Sequence, residues 1–144
     1  MHFRSICTAL LISAPTAQAQ PSIQQSHIEG NVPDEGKFSQ LLTRDLLLYF
    51  KANDAPKATA VEYRLLRDEP TQSGVSYPKY YAWVQVWAGG ERVAEGAVRL
   101  AAIGRTRFEI TDFVAKARAK NNTTQLESVF PRALVPSILK LAAE

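Results

Sequence analysis

The sequence predicts an α+β fold, with an N-terminal helix packed on a four-stranded antiparallel sheet and short C-terminal helices after it. Three observations carry this. Apolar residues recur at three- and four-residue spacing from Phe38 to Phe50. Four later segments alternate with period two, as strands of an antiparallel sheet do. Helical spacing then returns beyond Asn121-Asn122.

The chain opens on Met1-His2-Phe3-Arg4, followed by a mostly apolar run from Ser5 to Ala14. Pro15 ends the run, and Ala17-Gln18-Ala19 supplies the small–x–small pattern of a signal peptidase site. Residues 1–19 are therefore expected to be a secretory signal, its apolar part being too short to span a bilayer. The mature protein, Gln20 to Glu144, is expected to be periplasmic or secreted, with no membrane span after signal removal. The single cysteine, Cys7, falls inside the signal, so no disulfide is expected and stability must come from a core. Gln20 to Gly36 is polar and punctuated by Pro21, Gly30, Pro33 and Gly36. It reads as a flexible leader (20–36), with Ile28 and Val32 as its points of attachment. One domain is expected over 37–144.

In the first helix, Phe38, Leu41, Leu42, Leu46, Tyr49 and Phe50 share a broad face. Asp34 and Glu35 suit its positive end, and Pro56 stops it. The strands follow over Thr59–Leu66, Lys79–Ala88, Arg92–Ala102 and Arg105–Thr111. A two-residue turn at Gly89-Gly90 would set Ala88 opposite Glu91 and Trp87 opposite Arg92. Counting outward then pairs Gln85 with Ala94, Trp83 with Gly96 and Tyr81 with Val98. Large rings would lie beside small partners, so the aromatic face is assigned to the core beneath the first helix. The opposite face, with Val84, Val86 and Val93, is expected outward. That apolar strip would need a covering segment, a protein partner or a second copy. At the C-terminus, Asp112–Lys120 reads as a helix capped by Asp112, and Thr124 to Glu127 as a capping box. Leu126, Val129, Phe130, Leu134, Ile138 and Leu141 continue the pattern, interrupted by Pro131 and Pro136.

Composition excludes several functions. There are 17 basic and 14 acidic residues, a net charge of +3, without the clustering of Lys and Arg that nucleic acid requires. Histidine occurs only at His2 and His27, both ahead of the domain. Zinc sites and histidine-dependent triads or dyads thus lack their usual parts. No catalytic residue, metal ligand or cofactor is predicted. Glu62, Glu95 and Glu109 read as a surface paired with Arg64, Arg99 and Arg107.

Two places are candidates for binding. The connection from Arg67 to Pro78 is long for a compact domain, and Arg67, Asp68, Glu69 and Tyr77 could hydrogen-bond a ligand there; a plain mobile connector is the other reading. Gln85, an amide among aromatics, is either held by backbone groups or lines a polar pocket. In addition, Gln85-Val86-Trp87-Ala88-Gly89 is similar to the Gln-x-Val-x-Gly hairpin of the cystatins, inhibitors of papain-like cysteine proteases, with Trp87 where the family has valine. The order of elements is similar to cystatin-like and nuclear-transport-factor-like rolls. The resemblance implies that Gln85, Trp87, Ala88 and Gly89 would enter a protease cleft, aided by Gly30 or Gly36.

The expected function is accordingly an exported non-enzymatic binding or assembly domain of the bacterial cell envelope. One alternative is a ligand-binding or enzymatic domain whose pocket is lined by Gln85, Tyr63 and a carboxylate of raised pKa. A cystatin-like inhibitor is the other.

Overall fold

The computed structural model describes Ser13, Pro15, Ala19, Gln20 and Ser22 to Glu144. Most of the expected signal lies outside these residues. The elements are α1 (Ile23–Asn31), α2 (Glu35–Ala52), β1 (Ala60–Leu65), β2 (Lys79–Ala88), β3 (Glu91–Ile103), β4 (Arg107–Ala115), α3 (Lys116–Asn121), α4 (Thr123–Val129) and α5 (Val135–Ala143), with a single 3-10 turn at Arg132–Leu134. The four strands form one antiparallel sheet in the order β1-β2-β3-β4. The α+β class is as the sequence predicts.

Helices cover the sheet on both faces. Leu42, Leu46 and Phe50 of α2 pack on Tyr80, Ala82, Val84, Val86, Val98, Leu100, Ala102 and Phe108. On the other face Leu126, Phe130, Leu134, Val135, Ile138 and Leu141 pack on Tyr81, Trp83, Ala97 and Val114. The face assigned to the core under the first helix is thus the wrong one. Tyr81 and Trp83 are buried, but beneath the C-terminal helices. Val84 and Val86 are 0 % exposed under α2 and offer nothing to a partner; only Val93, at 43 %, reaches solvent.

One residue also shifts β3 against β2. Ala88↔Glu91 and Trp87↔Arg92 pair as expected, but Val86 pairs with Ala94, which leaves Val93 as the extra residue of a β-bulge. From there Gln85 faces Glu95 and Trp83 faces Ala97. A one-residue slip carries a whole strand's side chains to the other face.

β4 continues to Ala115, beyond the expected end at Thr111. Asp112 is no helix cap: it lies in the strand opposite Arg99, whose Nη2 stands 2.6 Å from its carboxylate. The cap of α4 is Asn122, whose Oδ1 accepts from the Gln125 amide at 3.0 Å, and not the expected Thr124–Glu127 box.

The leader segment carries α1, capped by Ser22. None of its residues is buried, and its C-terminal end holds it in place. The Gly104 amide donates to Asn31 Oδ1 at 3.0 Å and the Arg105 amide to the Asn31 carbonyl at 2.8 Å. Arg105 also pairs with Asp34. Gly104 and Arg105 both adopt left-handed φ angles, 60° and 63°, in the β3–β4 turn that α1 grips.

A buried carboxylate joins α2 to β4. Asp45 Oδ2 accepts from the Phe108 amide at 2.7 Å, and Arg44, paired to Asp45 at 2.9 Å, donates to the Thr106 carbonyl at 3.0 Å. The two side chains satisfy backbone groups on either side of Arg107 at the open edge of β4, as a neighbouring strand would.

Candidate functional site: an aromatic and carboxylate cleft at the end of α5

The alternation of β1 and β2 places Glu62 beside Gln85 and Arg64 beside Trp83 on the face covered by the C-terminal helices. Those helices shield Tyr81 and Trp83 and stop at Ala143, short of the β2–β3 hairpin. Between the sheet and the end of α5 remains a cleft of about 240 Å³. Trp83, Gln85 and Glu95 belong to it from the central strands, Glu62, Tyr63 and Arg64 from β1, and Leu141 and Glu144 from the C-terminal end.

Glu95 organises the cleft. Its Oε1 accepts from Trp83 Nε1 at 3.1 Å and from Gln85 Nε2 at 3.2 Å. Its Oε2 accepts from Arg92 Nη1 at 2.7 Å and lies 3.6 Å from Lys116 Nζ. Burial alone pushes this carboxyl up, but hydrogen bonds from Gln85, Trp83 and Arg92 and the Lys116 cation together hold it below the usual carboxylate range. It is an ionised anchor that accepts three hydrogen bonds beside the Lys116 cation. The Arg92 guanidinium also sits 5.4 Å from the centroid of the Trp87 ring, which faces it across the hairpin.

The sequence-predicted residues are divided by the structure. Gln85 lines the cleft, and Trp87 stands next to it on the same face. Gly89 is at the exposed tip of the hairpin with φ 58°. Arg67, Asp68 and Glu69 are exposed beyond β1 and away from the cleft. Of these only Asp68 borders a hollow, between α2 and β1, where Phe38, Leu65 and Tyr80 supply the walls. Burial, helped by Glu69, pushes the Tyr80 hydroxyl up to about 12. Tyr77 is also exposed, in a loop with internal ties. Thr71 bridges to Lys79, its hydroxyl meets the Tyr81 hydroxyl at 2.8 Å, and Gln72 Nε2 donates to the Gly74 and Ser76 carbonyls.

The residues singled out by the cystatin resemblance are not assembled on one edge. The Gln85 amide is directed to Glu95, and Val86 is fully buried. Gly30 adjoins Asn31, which is fixed to the β3–β4 turn at the opposite end of β3 from Gly89.

Sequence reasoning missed Glu95, Trp83 and Glu62 as parts of one site because it set Glu95 on the other face from Gln85. Leu141 and Glu144 carried no local signal, since they arrive from the far end of the chain. Among the described residues, no group of three or more His, Cys, Asp or Glu is placed to hold a metal ion, and no helix is long and apolar enough to cross a membrane. No protein-family model, curated protein or solved structure matches the chain.

Proposed function

We propose that this chain is an exported, non-enzymatic binding domain of the bacterial cell envelope whose contact surface is the cleft around Trp83, Gln85 and Glu95. The observation that carries this reading is the state of Glu95. A cleft lined by Gln85, Tyr63 and a carboxylate is what an acid–base enzyme of this fold would need, but general acid or base work calls for a carboxyl whose pKa is brought toward the working pH. Here it is moved the other way, its oxygens accept three hydrogen bonds, and the Lys116 cation stands 3.6 Å away. Such a group serves to fix neighbouring side chains and is ill suited to general acid–base work. Fixed aromatic and polar groups around a hollow are the composition of a binding site.

Export rests on the sequence of residues 1–19. Cleavage after Ala19 would leave every helix and strand among the described residues intact, because α1 begins at Ile23.

A photo-crosslinking residue at Ala60, next to Glu62 on β1 and opposite Trp87, tests the reading in intact cells. It is expected to trap a discrete partner, while the same residue at the exposed Lys51 of α2 traps none. Equal yields at both positions, or no adduct at Ala60, would overturn the contact surface. Amino-terminal sequencing of the mature protein from an envelope fraction is expected to begin at Gln20; an intact Met1 would remove the export step.

A further inference from the structure

We infer that the cleft recognises an organic cation, the guanidinium or ammonium group of an arginine or lysine side chain on a partner peptide. The inference rests on the cleft being the binding surface. Its basis is which polar groups remain free there. Glu95 already accepts three hydrogen bonds, and its charge is answered by Arg92 and Lys116. The nitrogen of the Gln85 amide is used on Glu95, so its carbonyl oxygen is left as an acceptor. Glu62 and Glu144 border the same hollow, and neither has an ion pair or side-chain hydrogen bond among the described residues. Arg64 is the one cation in the lining among the described residues. Three free acceptors, two of them charged, therefore stand against a single donor-only side chain.

A ligand that complements this set is rich in N–H groups and positively charged. Trp83 and Leu141 add aromatic and aliphatic walls, which suit the flat guanidinium or the methylene stem of a basic side chain. An anion would find only Arg64, with two carboxylates opposing it. The hydrogen bonds to Glu95 hold Trp83 and Gln85 in place before any ligand arrives, which limits the ordering cost of binding.

The test is a nitrogen-15 NMR titration of the chain from Gln20 to Glu144 with N-acetylarginine amide, following the Trp83 indole and Gln85 side-chain signals. Both are expected to shift with an affinity on the order of millimolar, as one exposed charge-assisted contact allows. The Asn53 side-chain amide, bound to the Tyr49 carbonyl on α2, is expected to stay still. Glu62→Gln, an exposed position, is expected to weaken binding about threefold, and salt near ~0.5 M to weaken it further. N-acetylglutamine amide and N-acetylglutamate amide are expected to move neither signal.

If the glutamate derivative binds instead, or no probe binds while the Ala60 crosslink forms, the cation is wrong and the binding surface stands. If no probe binds and no crosslink forms, both fall. An affinity unchanged in Glu62→Gln also rejects the cation. Tighter binding of spermidine than of an arginine-containing peptide would make the occupant a free polyamine and not a peptide.

Discussion

An alanine at position 96 would drive its methyl group into the Val114 carbonyl and to 2.9 Å from the Ala115 Cα, both main-chain atoms of β4. Neither can move without parting the two strands. Gly96→Ala is therefore expected to lower stability by about 2–3 kcal/mol, read as a fall in the urea midpoint. Gly89→Ala meets no atom within 4 Å and bears only the strain of a left-handed φ, about 1 kcal/mol. Equal losses at the two positions would contradict the close approach of β3 and β4. Glu95 sets a second expectation at this scale. Its carboxyl is lowered from the ordinary 4.5 in the folded chain. The stability it contributes is thus fully present above the unfolded value and lost as pH falls through the lower folded one. Glu95→Gln is expected to cost about 1–2 kcal/mol at neutral pH and to flatten the acid side of the stability–pH curve. A variant retaining the original slope below that value would show that other carboxyls govern it.

At the scale of elements, what was legible in the sequence was local. Which residues share a face is correct in β1, in β2 and in β3 from Ala94 onward, because alternation is a property of the strand itself. The Gly89-Gly90 turn and its first two pairs are also correct, since the turn chemistry is written in the glycines. The bulge was illegible. An exposed valine within a strand has no feature that marks it as extra, yet Val93 decides that Glu95 joins Gln85 while Val98 and Leu100 join Val84 and Val86. The extension of β4 was hidden in a similar way: Val114 and Phe113 find partners in opposite layers, and those partners come from distant elements. Asp45 carries no local signal in the sequence, and only the tertiary fold gives it the Phe108 amide. Asp45→Ala would leave that buried N–H without an acceptor and is expected to cost about 2–3 kcal/mol, with faster hydrogen exchange at Phe108. Asp45→Asn keeps an acceptor oxygen and is expected to lose less. If the two variants were equally unstable, the joint would depend on the charge and not on the hydrogen bond.

For the molecule as a whole, one sheet serves two cores, and the cleft lies between the sheet and the end of α5. Gln85 was legible as a polar group among rings, but the wall formed by Leu141 and Glu144 depends on where α5 ends, which no local pattern states. Sharing the sheet also has an energetic consequence. Ala82, Val84 and Val86 face α2 while Tyr81 and Trp83 face the C-terminal helices, so neither layer can be lost without baring residues of the same strand. Leu46 and Ile138 are both fully buried, one in each layer. Leu46→Ala and Ile138→Ala are each expected to cost about 2–5 kcal/mol. Although the sites lie on opposite sides of the sheet, each variant is expected to unfold in one transition, with tryptophan fluorescence and far-ultraviolet circular dichroism coinciding. Trp83 makes the measurement discriminating, because its ring lies in the C-terminal layer. Were that layer an independent cap, Ile138→Ala would shift the fluorescence to lower urea and leave most of the helix and sheet signal behind, whereas Leu46→Ala would not separate the two probes.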